Sequence, residues 1–156
     1  MSTTTRIIRA EVNTVWDVLT DGWTYPLWVV GAARVRDVDD TWPAVGSRIM
    51  HSVGAWPLLL DDTTTVAAVE LEERLSLTAR GWPAGEASVV ITTRARGRAT
   101  SVSITEDATA GPGRLVPAPV RHLGIGWRNI ETLRRLALLA ENRPDATQPG
   151  PTVGGR

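Results

Sequence analysis

The chemical inventory of this 156-residue chain is short: two histidines, no cysteine, and carboxylates scattered along it. Without cysteine there is no disulfide, thiolate metal site or cysteine nucleophile. His51 and His122 are too few for a multi-histidine metal centre. Two residues stand out by position. Side chains alternate between the faces of a strand, and Ile49 and Val53 place His51 on the apolar face of Ser47–Val53. Val102 and Ile104 do the same for Glu106 in Ala99–Asp107. A carboxyl group withdrawn from water has its pKa raised and can serve as a general acid or base, as can an imidazole. Each also has a plainer role. His51 fits a hydrogen-bonded core histidine, and Glu106 fits a partner for an arginine at the sheet end, such as Arg80 or Arg114.

Other motifs are missing. No serine sits in a nucleophile elbow, and no His-Glu-x-x-His occurs. Gly124-Ile125-Gly126-Trp127-Arg128-Asn129 lacks the third glycine of a dinucleotide loop and lies inside a helical pattern. No metal and no cofactor is expected. Seventeen Arg offset nine Asp and eight Glu, so no net charge recruits nucleic acid or an acidic membrane. Arg94, Arg96 and Arg98 share an outer strand face without interleaved aromatics, a poor nucleic-acid surface. No stretch approaches the roughly 18 apolar residues of a membrane span, and the opening MSTTTRIIRAE lacks a secretory apolar segment. A cytoplasmic protein is expected, inserted in no membrane.

The elements that must position His51 and Glu106 follow from periodicity and turn residues. Thr4–Ala10 reads as a first strand. Asn13 is placed to cap a helix carrying Val15, Trp16, Val18 and Leu19, and Thr24 a second, very short one. Six more strands follow: Ala33–Val38, Ser47–Val53, Thr63–Glu70, Arg74–Arg80, Ala87–Arg96 and Ala99–Asp107. Their short connections imply an antiparallel meander. From Pro119 to Glu141, Val120, Leu123, Trp127, Ile130, Leu133, Ala137 and Ala140 recur at helical steps. The expectation is an α+β fold: a curved seven-stranded antiparallel sheet wrapped around a long C-terminal helix, with two short helices after strand 1. One domain spans residues 1–142, and the Pro/Gly-rich tail 143–156 is expected to be disordered.

This order resembles the START-related helix-grip superfamily, in particular its polyketide cyclase/dehydrase-like branch. The resemblance rests on Val15-Trp16-Asp17-Val18-Leu19-Thr20-Asp21, Tyr25-Pro26-Leu27-Trp28-Val29, Gly46-Ser47-Arg48, Ile104-Thr105-Glu106-Asp107 and the amphipathic last helix. It covers roughly Thr4 to Arg143 and implies a hollow interior that holds apolar or aromatic small molecules. It implies no single reaction, because binders, transporters and enzymes share the scaffold.

Seven tryptophans and no phenylalanine suit such an interior, since indole rings line cavities and stack on ligands. Successive meander turns alternate between sheet ends. Trp56 and Trp82 therefore fall at the same end, with Trp28 near them, Trp42 opposite, and Trp127 facing them from the helix. The expected ligand-binding set is Trp28, Ile49, His51, Trp56, Leu77 and Trp82, with Ile91, Ile104, Glu106, Leu123 and Trp127. His51 and Glu106 are also the catalytic candidates. Three functions stay open: a binder of a hydrophobic, aromatic or lipid-like molecule, a cyclase/dehydratase-type enzyme, or an interaction protein with a filled core.

Overall fold

A computed structural model describes residues 1–55, 57–81, 85–115 and 117–143. The chain forms β1 (Ser2–Ile8), α1 (Val12–Leu19) and α2 (Tyr25–Trp28), then β2 (Ala32–Val38), β3 (Arg48–Ala55) and β4 (Leu58–Glu70). β5 (Arg74–Gly81), β6 (Gly85–Arg96), β7 (Ala99–Ala110) and the long α3 (Ala118–Glu141) complete it. One antiparallel sheet has the order β1-β7-β6-β5-β4-β3-β2, so the first strand closes beside the last and the rest is a meander. This is the helix-grip arrangement, a seven-stranded sheet with α3 against its inner face.

Boundaries differ from the expectation where local chemistry decides. β1 starts and ends two residues early, and β4 begins at Leu58 rather than Thr63 because the β3–β4 ladder continues to Ala55 opposite Leu58. Asn13 caps nothing: α1 starts at Val12, and the Asn13 Oδ1 accepts from the Thr14 amide at 2.8 Å. The Thr24 hydroxyl instead donates to the carbonyls of Asp21 at 2.8 Å and Val18 at 3.2 Å, tying α2 back to α1.

Side-chain size grades along the inner face. One cross-strand row of β5, β6 and β7 is Leu75–Ile91–Ile104, the next Leu77–Val89–Glu106, and the third Ala79–Ala87–Ala108. The large row is buried with Val15, Trp16, Leu133 and Leu136. Trp16 Nε1 donates to Thr93 Oγ1 at 2.9 Å, and that hydroxyl donates to the Glu72 carbonyl at 2.6 Å, closing this end. Burying such side chains contributes about 1.5–3 kcal/mol each. Toward the alanine row the filling stops. The space beneath α3 is packed at one end and open at the other.

α3 is turned differently from the expected stripe. Leu133, Ala137 and Ala140 are buried as expected, but Leu123, Trp127 and Ile130 are exposed. At 100° per residue, Trp127 points roughly 180° away from the fully buried Leu136. The inward face of the first half carries Val120, which was expected there, with Gly124, Ile125, Arg128 and Asn129, and Thr132 follows just beyond. Polar residues are tolerated there because that half lies over open space rather than over the packed core.

Candidate functional site

Between the sheet and the first half of α3 lies a cavity of about 450 Å³. Its floor is the graded face of β5, β6 and β7, its roof is α3, and its side is α2 with the Val29–Ala32 segment. The wall is mostly apolar. Gly85 makes the shape possible: it has φ +110°, and a Cβ there would collide with the Ala110 carbonyl, so only glycine lets the β5–β6 hairpin close onto the end of β7. At this rim Arg80 pairs with Glu86 at 3.0 Å.

Two polar clusters face the cavity, one around Glu106 and one around His51. Glu106 continues the apolar alternation of β7 and is 4% exposed; its carboxylate pairs with the Arg128 guanidinium from α3. The expected partners Arg80 and Arg114 are not used. Arg80 is taken by Glu86, and the Arg114 side chain lies outside the described residues. On the opposite wall His51 Nε2 and the Tyr25 hydroxyl each lie 3.0 Å from Thr64 Oγ1. The Tyr25 ring is 5.2 Å from His51 and 5.4 Å, edge-on, from Trp28.

Burial governs the ionisation of this cluster. It pushes the Tyr25 phenol up to about 12, against a lowering hydrogen bond from Thr64. It pulls His51 below the usual imidazole value, opposed by a main-chain contact with Ser52. It raises Asp62, opposite His51 in the β3–β4 pairing, although the Thr63 amide donates to Asp62 Oδ1 at 2.6 Å. Tyr25 and His51 are therefore both neutral near pH 7.

Of the residues expected from sequence, Trp28, His51, Leu77, Ile91, Ile104 and Glu106 lie on the cavity wall. Ile49 does not: it is fully buried in the packed half, against Gly22 and Val38. Leu123 and Trp127 are 77% and 69% exposed on the outer side of α3, for the rotational reason given above. Trp56 and Trp82 lie outside the described residues. Trp28 is 3% exposed, a wall residue rather than a rim one. Sequence reasoning missed Tyr25, Arg128, Asn129 and the three alanines. Two of the alanines had a readable signal, since Ala79 follows Leu77 and Ala87 precedes Val89 by two positions on the same strand face. Among the described residues no cluster of His, Asp and Glu is arranged to hold a metal ion. No helix among them is long and apolar enough to cross a membrane.

No protein-family model matches the chain, and no curated protein matches it. Solved structures do match, and they show the fold. A protein from Nitrosomonas europaea shares 19% identity over 89% of this chain and 92% of its own, with a TM-score of 0.67. DynU16, from the dynemicin biosynthetic locus, shares 23% identity over 90% of this chain, with a TM-score of 0.62. The di-domain ARO/CYC StfQ from the steffimycin biosynthetic pathway shares 10% over 89%, with a TM-score of 0.68. This chain spans about half of each of the last two, 47% and 49%.

Proposed function

We propose that this protein binds a hydrophobic, aromatic or lipid-like small molecule between the sheet and α3, as a START-like protein of the polyketide cyclase/dehydrase-like branch. The observation that carries this reading is the row Ala79–Ala87–Ala108, which leaves about 450 Å³ of mostly apolar space beneath α3. Ligand pockets fall in the range of about 300–1,000 Å³ with a few placed polar groups, and burial of apolar area, worth about 25 cal/mol per Å², would drive association. Extraction of small molecules from protein purified from its own host tests it, paired with titration of aromatic and aliphatic compounds against tryptophan fluorescence. A co-purifying apolar compound that displaces a bound probe supports the reading. Absence of binding across the panel overturns it.

A cyclase/dehydratase-type enzyme is the second reading, favoured by the biosynthetic settings of DynU16 and StfQ and by the acid/base candidates His51 and Glu106 on the wall. In it His51 and Glu106 move protons while the cavity shapes a reactive chain. His51→Gln and Glu106→Gln would then abolish turnover of a bound compound while leaving its affinity within a few-fold. A bound compound recovered unchanged by the wild-type protein counts against it.

A further inference from the structure

The long helix has two apolar faces, and the fold covers one of them. Leu133, Leu136, Ala137 and Ala140 are buried, where α3 packs against α1, α2, β1 and β7. On the far side the exposed Leu123 and Trp127 are joined by Ile130 and Leu138, 56% and 51% exposed. Arg134, also exposed, completes a row with steps of four, three, four and four residues. A single exposed apolar side chain needs no explanation, but a contiguous patch does. From their exposed fractions these four apolar side chains present roughly 500 Å² of surface, near the upper end for the largest patch on a monomer.

The spacing says what shape covers it. Alternating steps of four and three from Leu123 to Arg134 are those of a coiled-coil seam, a band one side chain wide. A lipid surface is met by a broad apolar face, because binding strength follows buried apolar area. A narrow seam is met by another helix. Arg134 sets the direction of that helix; its guanidinium pairs with Glu131 of the same helix at 3.4 Å and keeps its charge in water. Two copies of α3 lying parallel would set Arg134 against Arg134. Lying antiparallel, about a two-fold axis midway between Trp127 and Ile130, each Trp127 faces the other copy's Ile130. Leu123 then faces Arg134, whose aliphatic stem covers the leucine while its head stays solvated. The seam is complementary to itself, with no like charges opposed along the row.

We propose that two copies of this chain associate through the outer face of α3, antiparallel, with Leu123, Trp127 and Ile130 at the centre of the contact. The pairing is independent of what the cavity holds. Roughly 500 Å² per copy makes about 1,000 Å² in the pair, the lower bound for a specific interface and the size of a transient one. The dissociation constant then falls at about 10–100 µM, so the dilute chain is monomeric and the outer face of α3 is in water.

Sedimentation velocity of the intact chain from about 1 to about 500 µM measures the association and should show a reversible monomer–dimer equilibrium. Trp127→Glu and Ile130→Glu should each weaken it at least tenfold. Leu71→Glu, at a site 69% exposed in the β4–β5 turn, should leave it within two-fold. Thermal melts followed by circular dichroism at about 1 µM, where the chain is monomeric, verify that the variants fold. The chain has no cysteine, so Asn142→Cys carries a single spin label per copy. Two labels should lie about 40 Å apart in the antiparallel pair and under about 20 Å apart in a parallel one. A chain that stays monomeric throughout, with or without binding to phosphatidylcholine–phosphatidylglycerol vesicles, overturns the proposal. So does a dimer that both seam variants leave intact, or one whose labels show the shorter distance.

Discussion

Glu106 of β7 and Arg128 of α3 join the sheet to the helix across the cavity wall, with the carboxylate side chain 5% exposed and the guanidinium side chain 42% exposed. The asymmetry makes the two partners unequal. Removing Arg128 leaves a carboxylate inside the protein without a counter-charge, whereas removing the charge of Glu106 leaves a cation that can turn to water. Arg128→Met should therefore lower unfolding stability by about 1–3 kcal/mol, more than Glu106→Gln. The double variant should recover part of the loss. Urea unfolding of all four proteins in a double-mutant cycle checks the order.

The alanine row gives a sharper handle on the cavity. A larger side chain at Ala87 or Ala108 enters open space rather than a packed core, so the usual overpacking cost of about 1–3 kcal/mol should not appear. Ala87→Leu and Ala108→Leu should keep the unfolding midpoint within about 1 kcal/mol of wild type and lower affinity for any apolar probe at least tenfold. Thermal unfolding and probe titration on the same samples check both halves. Strong destabilisation with unchanged probe binding would show that the probe sits elsewhere.

The same row shows how far the sequence reached. Strand alternation was enough to bring Leu77, Ile91, Ile104 and Glu106 to one face, because a period of two needs only local residues. Short turns were enough for the meander. The rotation of α3 was not legible, since apolar residues line two of its faces and only packing against the sheet selects Leu133 and Leu136 over Trp127 and Ile130. Polar Asn129 and Thr132 blur the inward stripe because they face a cavity. Arg128 could not be matched to Glu106 for a similar reason: which arginine reaches a given carboxylate depends on the helix rotation.

Proton linkage separates the buried cluster from the rest of the chain. The folded Tyr25 phenol titrates at about 12 against an ordinary value of 10.0, so above pH 10 the unfolded chain releases a proton that the folded chain retains. Stability should fall from about pH 10 to pH 12, by roughly 2–3 kcal/mol from this group. His51 acts at the other side of neutrality. Its folded value lies below 6.5, so as pH drops below 6.5 the unfolded chain gains a proton first and stability declines. Tyr25→Phe should flatten the alkaline limb and His51→Gln the acidic one, each without altering the other. Denaturant midpoints measured from pH 5 to 11 check the pairing of variant and limb.

The rotation of α3 is itself open to test. Trp127 is 69% exposed and Leu136 is fully buried, although the sequence presents the tryptophan as the larger apolar anchor. Leu136→Ala removes contacts from the packed half and should cost about 2–5 kcal/mol. Trp127→Ala removes a side chain from water and should stay within about 0.5 kcal/mol of wild type, with probe affinity unchanged because the ring is not on the wall. Trp28→Ala, by contrast, should weaken both stability and probe binding, since that ring is at once buried packing and wall. If Trp127→Ala instead abolished binding with Leu136→Ala silent, α3 would have to be turned half-way round, and Arg128 and Asn129 would leave the cavity with it.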